Sequence, residues 1–387
     1  MHDQLSAAKE ILSRLVAFES VSGRPNLEMI DYIRSYLDGF GIASSISHDD
    51  TGKRANLYAT VGPAVDGGVV LNGHTDVVPV TGQNWTSDPF ALAERNGRLY
   101  GRGAVDMKGF LACMLAMVPV FKAQDLNQPI HISFCFDEEI GGFGAPILVD
   151  DIESKPMRPR AAIIGEPTSM KLITGHKAGL ELRTEITGLE AHASNPTKGS
   201  NAVETAALYI ARILETGRRM AANPVVNSPF DPPFCTVNVG RIEGGAARNI
   251  TAGSCSFDWE IRPVPGEDPH AILAEITSYA DAALLPSMQK TAPHARILTI
   301  VEAEVPALNA DENSDAVSLI RELTGLNSGS VVAFGTDGGH FERAGISTVV
   351  FGPGSIDQAH KPDEYVEISQ IEQCLSFMHK LALHQTR

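Results

Sequence analysis

Two histidines and several acidic residues occupy similar places along the chain, since most of them follow a short apolar run of the kind that forms β-strands. Imidazole and carboxylate groups are the ligands expected for zinc or a similar divalent ion. Two such ions need fewer carboxylates than this set holds, so one carboxylate would be free to act as a base. The pattern therefore points to a two-metal hydrolase. The candidate residues are His74, Asp76, Asp106, Glu138, Glu139, Glu166 and His360.

The similar placement of these residues is what makes the set informative. A single histidine after a strand is usually structural, and an acidic residue there is usually a solvated turn residue. In an open α/β sheet, however, sites form in the crevice beyond the carboxyl ends of the strands. It is improbable that so many candidate residues lie at the same level of a sheet by chance. We therefore expect these side chains to meet at one edge of a sheet.

Helices and strands alternate up to about residue 175, which predicts a sheet with helices on both faces. Asp106 is predicted to be the N-cap residue of the third helix. An N-cap carboxylate is firmly held, so a capping role and a metal role both stay open. The predicted helices are 5–18, 26–40 and 107–123, and the predicted strands include 55–61, 67–72, 130–136 and 161–165.

The pattern changes near residue 178, where apolar and charged side chains alternate as in a half-exposed strand. The following elements have the order βαββαβ, which indicates a ferredoxin-like insert. We therefore predict an α/β protein with a three-layer, mixed-sheet catalytic domain over 1–176 and 303–387 and an inserted α+β domain over 177–302. The later predicted elements are helices 201–218, 269–285 and 313–324 and strands 179–187, 234–241, 251–262, 295–301, 330–334 and 347–352.

Composition narrows the class of protein. The chain has 387 residues, with 31 basic against 47 acidic residues and a net charge of −16. Such a chain should repel nucleic acid and anionic membranes. The acidity would suit a cationic substrate, although solubility alone is the plainer reading. The five cysteines form no Cys-x-x-Cys pair, and no signal peptide or apolar run of ~20 residues is present, so we predict a cytoplasmic protein.

Four segments of the chain resemble the signature blocks of the dinuclear zinc aminoacylase/carboxypeptidase/deacetylase family. The resemblance extends over about residues 8–380, and it implies that the insert serves as a lid and as the contact of a homodimer. Within the family, residues 258–266 and 352–365 look most like the members that act on N-acetyl-L-ornithine. Residues 140–144 and 335–340 differ from that pattern, so the acyl-amino acid stays open. The four blocks are residues 73–79, 100–109, 137–139 and 165–168.

The resemblance implies which residues would hold two divalent ions. Asp106 would bridge them, because a carboxylate has two oxygens to share between two ions. His74 and Glu166 would complete one ion, and Glu139 and His360 would complete the other. Zinc is the first expectation, and cobalt and manganese also suit this ligand set.

The resemblance also assigns the proton transfers. Glu138 would be the general base, which takes a proton from a metal-bridging water that attacks the acyl carbonyl and returns it to the departing amine. From its spacing, Asp76 is suited to accept the other N–H of His74, with direct metal ligation as the alternative. No Ser-His-Asp arrangement or catalytic cysteine motif competes with this scheme.

Three residues of the insert match positions that contact substrate in the family. His192 would reach the active site of the partner subunit and stabilise the oxyanion, although a histidine in such a loop is otherwise an exposed turn residue. Asn249 and Arg262 would hold the substrate α-carboxylate, where an arginine fork gives geometric selectivity. A structural ion pair is the alternative for Arg262.

Three residues near the C-terminus are further candidates for substrate contacts. The side-chain ammonium of ornithine would need a carboxylate once it is enclosed, and Asp337, in a glycine-rich loop, is the candidate partner. A solvated turn aspartate is the alternative. Gly352 and Gly354 would let the backbone approach the substrate, although Gly-Pro-Gly alone would only mean a turn.

Together these features predict hydrolysis of an Nα-acetyl-L-amino acid, with N-acetyl-L-ornithine as the first substrate and with ornithine and acetate as products for arginine synthesis. The alternatives are desuccinylation of N-succinyl-diaminopimelate or deacylation of another acyl-amino acid. A metal-binding homologue without catalysis is a different class. It is disfavoured because a binding protein has no need of Glu138, His192 and Arg262 together.

Overall fold

The structure is a computed structural model that describes residues 2–387. These residues form two compact units. The first unit contains the chain up to Gly175 together with Leu308–Val331 and Thr336–Arg387, and the second contains His176–Ala307 and Val332–Gly335. Residue 176 and residues 303–307 and 332–335, which the sequence places in the first domain, fall in the second unit. No helix among residues 2–387 is long and apolar enough to cross a membrane.

The N-terminal part of the first unit alternates helices and strands because apolar stripes of helical spacing alternate with short apolar runs. In α1, for example, Ile11, Leu12, Leu15 and Val16 form one buried face. The elements in chain order are α1 (His2–Val16), α2 (Leu27–Asp38), β1 (Ser44–His48), β2 (Ala55–Val61), β3 (Val69–His74), β4 (Ala93–Arg95), β5 (Arg98–Tyr100), α3 (Lys108–Ala123), β6 (Ile130–Cys135), α4 (Gly144–Glu153), β7 (Ala161–Ile164) and β8 (Ile173–His176).

The second unit is an antiparallel sheet with helices. Leu180, Leu182 and Ile186 alternate with exposed residues and pack into a core with Phe257 and Trp259, as the period of two in a strand requires. The strand order β10-β11-β9-β12 and the βαββαβ sequence of elements are those of a ferredoxin-like fold. Its elements are β9 (Gly179–Thr187), α5 (Ala202–Ala221), β10 (Thr236–Gly244), β11 (Ser254–Arg262), α6 (Pro269–Tyr279), α7 (Leu285–Gln289) and β12 (Arg296–Val305).

The C-terminal part of the chain completes the sheet of the first unit. Its elements are α8 (Asp315–Thr324), β13 (Ser330–Val332), α9 (Gly338–Arg343), β14 (Ser347–Val350), β15 (Tyr365–Glu367) and α10 (Ile368–His384). The large sheet of the described chain has the order β1-β2-β6-β3-β7-β14-β8-β13. Its central strands β6, β3, β7 and β14 are parallel, whereas β1, β2 and β8 pair antiparallel. The predicted mixed-sheet α/β fold is confirmed.

Two predicted local features differ from the structure. Helix α3 begins at Lys108 with Met107 as its N-cap and with no side-chain cap, so the prediction that Asp106 caps this helix is wrong. The reason is that the Asp106 carboxylate turns toward two histidines instead. The predicted helix 269–285 is interrupted by a π-helical segment, Ala280–Leu284, between α6 and α7.

Candidate metal centre

Three of the central parallel strands, β3, β6 and β7, lie beside one another, and a candidate ligand lies at or shortly after the end of each. His74 is the last residue of β3, and Glu166 comes shortly after β7. After β6 the chain turns at Asp137, whose φ of 53° is left-handed, and Glu138 and Glu139 then open a short 3-10 turn. This turn brings both glutamates toward the ends of the strands, which an extended segment could not do.

Asp106 lies between the two candidate histidines. Its Oδ1 is 3.1 Å from Nε2 of His74, and its Oδ2 is 3.3 Å from Nε2 of His360. The two oxygens of one carboxylate thus face two different imidazoles, which is the arrangement of a ligand shared by two ions. The side chains of His74 and Asp106 are 1% and 6% exposed, whereas that of His360 is 52% exposed.

The three glutamates surround this trio. Oε2 of Glu139 is 2.9 Å from Nε2 of His360, and Oε1 of Glu166 is 3.7 Å from Nε2 of His74. Distance alone does not separate the predicted base, Glu138, from the predicted ligands. The side chains whose ligand atoms lie within 4.8 Å of one another are His74, Asp106 and Glu139 in one group and His74, Glu138 and Glu166 in another.

The carboxylates and the imidazoles shift one another's pKa values in opposite directions. Burial, reinforced by the charge of Asp106, raises the pKa of Glu139 to about 7 and that of Glu166 well above its usual range. Hydrogen bonds to Asp106 and Glu139 raise the pKa of His360 to about 10. Burial would lower the pKa of His74, but the hydrogen bonds to Asp106 and Asp76 outweigh it and raise that pKa well above 6.5.

These residues fit a pair of divalent cations. The clustered carboxylates favour positive charge nearby, and they raise the pKa values of both imidazoles so that the protonated forms are favoured. Oε1 of Glu166 is also buried without a hydrogen-bond partner among the described residues, which is costly for a carboxylate oxygen. Cations coordinated by imidazole and carboxylate would meet both demands.

Asp76 supports the cluster in a different way from the one its spacing predicts. Nδ1 of His74 lies 2.9 Å from the main-chain oxygen of Asp76 and 3.6 Å from its carboxylate. The main-chain oxygen is therefore the hydrogen-bond acceptor for the imidazole. The carboxylate accepts from Ser22 Oγ at 2.7 Å and from the main-chain N–H groups of Glu138 and Glu139 at 3.1 and 3.3 Å. It thereby holds the turn that carries both glutamates.

Some side chains that support the metal centre were not predicted from the sequence. Asp137 accepts from the N–H of Gly23 at 2.7 Å and pairs with Arg54. Arg102 and Glu364 form a buried ion pair beside the Asp106 loop. The signal for these residues was available, because Asp137, Arg102 and Glu364 are charged residues inside the blocks that carry the family resemblance.

Asp337 is buried, with 2% of its surface exposed, so the alternative of a solvated turn aspartate is excluded. Its Oδ2 accepts from Cys135 Sγ at 2.7 Å and from Asn72 Nδ2 at 3.2 Å. Its Oδ1 has no hydrogen-bond partner among the described residues. Burial raises the pKa of the Asp337 carboxyl group.

Gly352 and Gly354 are required by packing within the protein. A Cβ at position 352 would collide with the main-chain oxygens of Gly165 and Glu166, and one at position 354 would collide with Val105. Gly354 also has a φ of 83°. These contacts explain both glycines without a ligand, and their approach to a substrate stays a prediction.

The remaining predicted residues belong to the second unit. His192 and Asn249 are exposed and lie on adjacent segments, because the N–H of Ala193 donates to the main-chain oxygen of Asn249 at 3.0 Å. The His192 ring is hydrogen-bonded to Ser194 Oγ at 2.7 Å. The structure thus brings His192 and Asn249 together within this unit.

Arg262, also in the second unit, pairs with Glu260 at 2.7 Å. This contact is the structural ion pair that the sequence left open as an alternative. A substrate carboxylate would have to compete with Glu260 for the same guanidinium.

The sequence matches the model of peptidase family M20/M25/M40 over residues 70–384. It is 34% identical over 389 residues to acetylornithine deacetylase of Myxococcus xanthus, and the match covers 99% of each chain. Acetylornithine deacetylase of Proteus mirabilis is 33% identical over 388 residues, with 98% of this chain and 97% of that one covered.

Solved structures share the fold over the whole chain. An M20 family metallo-carboxypeptidase from Sulfolobus solfataricus superposes with a TM-score of 0.75 at 18% identity, covering 99% of each chain. A dinuclear metal binding peptidase of the M20 family from Bacillus subtilis superposes with a TM-score of 0.63 at 14% identity, covering 98% of this chain and 99% of that one. At these identities the likeness concerns the fold alone.

Proposed function

Since this chain belongs to peptidase family M20/M25/M40, we propose that it hydrolyses N-acetyl-L-ornithine to L-ornithine and acetate, a step that would serve arginine synthesis. As a member of the family it is a metallohydrolase, and its reaction class is metal-dependent amide hydrolysis. The observation that carries the proposal is the arrangement of Asp106, whose two oxygens face two imidazoles within a ring of glutamates. The named relatives favour this substrate over N-succinyl-diaminopimelate.

The proposed ligands follow the geometry around Asp106. His74 and Glu166 would hold one ion, Glu139 and His360 the other, and Asp106 both. When bound, such ions polarise an acyl carbonyl and, in the case of zinc, lower the pKa of water to about 7. Zinc is the ion that we propose first, and the donor set also suits cobalt and manganese.

Glu138 is the proposed general base and acid. It would take a proton from the attacking water and deliver that proton to the departing α-amino group. Asp76 supports this role, because its Oδ1 accepts from the Glu138 main-chain N–H at 3.1 Å and so fixes where the side chain begins.

Specificity for the ornithine side chain is proposed for Asp337. Its Oδ2 is occupied by Asn72 and Cys135, whereas its Oδ1 keeps an acceptor without a partner among the described residues. A buried carboxylate oxygen of this kind suits an ammonium group, since each charge would offset the desolvation cost of the other. We also propose that Gly352 and Gly354 let the backbone approach the substrate closely.

We also propose that His192, Asn249 and Arg262 contribute to substrate binding, with His192 acting on the partner subunit of a homodimer. If so, mixing inactive His192→Ala and Glu138→Gln proteins should restore some activity, because one site of the mixed dimer has both groups. No recovery after verified exchange of subunits would refute the shared role.

The homodimer is proposed to form through the second unit, whose sheet has an open edge at β12. Leu298, Ile300 and Val301 on this strand are 53%, 37% and 42% exposed. Apolar side chains along an unpaired edge favour pairing with another strand. Sedimentation of the wild-type protein as a monomer would refute this part of the proposal.

A cytoplasmic location completes the proposal. The five cysteines, all within the described chain, are buried and unpaired, as expected in a reducing compartment. Detection of the protein in an oxidising compartment with these cysteines paired would argue against it.

The decisive experiment has two steps. Acetate release is first measured with the metal-loaded protein on a panel of N-acetyl and N-succinyl amino acids, where N-acetyl-L-ornithine should give the highest kcat/KM. Glu138→Gln is then compared with its neighbour Glu139→Gln by metal analysis and turnover. Glu138→Gln should keep both ions and lose roughly 10²–10⁴-fold in kcat, whereas Glu139→Gln should lose an ion. The reverse pattern would exchange the two roles.

A further inference from the structure

Glu364 is a buried charge that no proposed catalytic step uses. Its side chain is 1% exposed and pairs with Arg102, which is also 1% exposed, at 2.6 Å between Oε2 and Nη1. A buried ion pair is weak evidence for stability, because the desolvation of two charges offsets much of their attraction. The contacts that the pair makes with its surroundings indicate what it does.

The first contacts are with the backbone of the loop that carries Asp106. Oε2 of Glu364 accepts from the N–H of Gly103 at 3.0 Å, and Oε1 accepts from those of Val105 and Asp106 at 2.9 and 3.2 Å. Three main-chain donors therefore converge on one carboxylate. Such charge-assisted hydrogen bonds are roughly twice as strong as neutral ones, so the course of this loop depends on Glu364.

The second contacts reach the loop that carries His360. Nη2 of Arg102 donates to Gln83 Oε1 at 2.5 Å, and Nε2 of the same glutamine donates to the main-chain oxygen of His360 at 2.9 Å. The Arg102 guanidinium also lies 5.1 Å from the centre of the Trp85 ring, a distance at which cation–π attraction operates. Because Glu364 itself lies on the His360 loop, the network ties together the loops of two proposed metal ligands.

We propose that Glu364, held by Arg102, is a positioning residue that sets the relative placement of Asp106 and His360 and thereby the affinity for both ions. The inference rests on the dinuclear site proposed above. Asp106 has one oxygen 3.1 Å from His74 Nε2 and the other 3.3 Å from His360 Nε2. A tilt of its loop would therefore disturb both contacts at once.

The test compares Glu364→Gln with a matched control, Glu367→Gln. Glu367 lies nearby in β15, but its side chain is 48% exposed and its partner Arg98 is 3.6 Å away at the surface. Metal-free proteins are titrated with Co²⁺ by calorimetry, and the visible absorption of the bound ion is recorded. Glu364→Gln should bind Co²⁺ about 10–100-fold more weakly and with an altered absorption band, whereas the control should match the wild type. Wild-type affinity and spectrum in Glu364→Gln would overturn the proposal.

A second variant keeps the test informative if the first fails to fold. Glu364→Gln leaves Arg102 buried without a counter-charge, which is strongly destabilising. The double variant Arg102→Gln/Glu364→Gln removes both charges, and its folded fraction is measured by circular dichroism before the titration. The same loss of Co²⁺ affinity per folded molecule is expected, and unchanged affinity would overturn the inference.

These binding measurements are independent of the proposed reaction. A wild-type protein that binds two ions but hydrolyses no acyl-amino acid would refute the proposed function and leave the role of Glu364 testable by titration. Conversely, an active wild type with a Glu364→Gln variant of normal affinity would refute only the positioning role.

Discussion

The two candidate histidines of the metal centre sit in opposite surroundings. His74 ends β3, which is flanked by β6 and β7 in the sheet, and its side chain is 1% exposed. His360 lies in a loop with a φ of 62°, and its side chain is 52% exposed. One candidate ligand is thus held by the backbone hydrogen bonds of the sheet. The other is held by polar side chains, because Gln83 donates to the main-chain oxygen of His360 and Glu364 anchors the loop on which His360 lies.

This difference indicates how the two halves of the centre become ordered. We expect the strand-held half, which contains His74, to form when the sheet forms, since its backbone hydrogen bonds are part of the core. The loop-held half depends on a few buried polar contacts and, we expect, on the ions themselves. Three measurements would sharpen or break this comparison, and they are given from the largest expected effect to the smallest.

Removal of the metal ions should affect the two halves unequally. An ion present at 1,000 times its dissociation constant stabilises the fold by about 4 kcal/mol, so chelation should lower the free energy of unfolding by several kcal/mol. Hydrogen–deuterium exchange should then rise at residues 352–364 much more than at 69–74. An equal rise in both segments would break the comparison. Glu138→Gln, which should keep both ions, serves as the control and should exchange like the wild type.

The sheet that carries the strand-held half should respond instead to protonation of a buried histidine. Burial lowers the pKa of His131, in β6, to about 4, and its ring contacts Thr60 Oγ1 at 2.9 Å and the Gly67 oxygen at 3.3 Å. Below pH 6.5 His131 is protonated in the unfolded chain but stays neutral in the folded chain until the pH approaches 4. The contribution of His131 to the free energy of unfolding should therefore be fully present above pH 6.5 and fall by roughly 3 kcal/mol as the pH drops toward 4.

The measurement is urea unfolding of the metal-free protein between pH 4 and pH 7, with His131→Gln as the comparison. The difference between the two proteins isolates this histidine from His176, whose pKa burial also lowers to about 4. A difference that does not change with pH would contradict the prediction.

The smallest expected effect tests whether a side chain bonded to the central strands also binds the ammonium group of the substrate. Asp337 bonds to Asn72 of β3 and to Cys135 of β6. Asp337→Asn should raise the KM for N-acetyl-L-ornithine by the equivalent of ~1.5–3 kcal/mol, the cost of losing a charge-assisted bond. The KM for a neutral analogue, N-acetyl-L-methionine, should hardly change. Equal losses on both substrates would mean that Asp337 supports the strand ends and does not read the ammonium.

The sequence predicted best what local periodicity encodes. The strand predicted at 179–187 has the observed bounds of β9, because strict alternation of apolar residues leaves one register. The candidate ligands at the ends of β3, β6 and β7 could be foreseen because parallel strands end at one edge.

Features that depend on tertiary contacts were missed. Asp106 stands where an N-cap is expected, and only the proximity of His74 and His360 explains why its carboxylate turns away from the helix. The acceptor for His74 is the main-chain oxygen of Asp76, which spacing cannot distinguish from its carboxylate. Arg102 and Glu364 both lie inside blocks that carry the family resemblance, but they are 262 positions apart, so the sequence does not show that they pair with each other.

The place of β14 between β7 and β8 has a consequence for biosynthesis. The ribosome must produce residues 165–346, which include the whole second unit, before the strand that fills this gap exists. At ~5–20 residues per second this takes roughly 10 to 40 s. During that interval we expect the nascent first unit to expose the facing edges of β7 and β8, which makes it a candidate for chaperone binding. The last proposed metal ligand, His360, emerges later still.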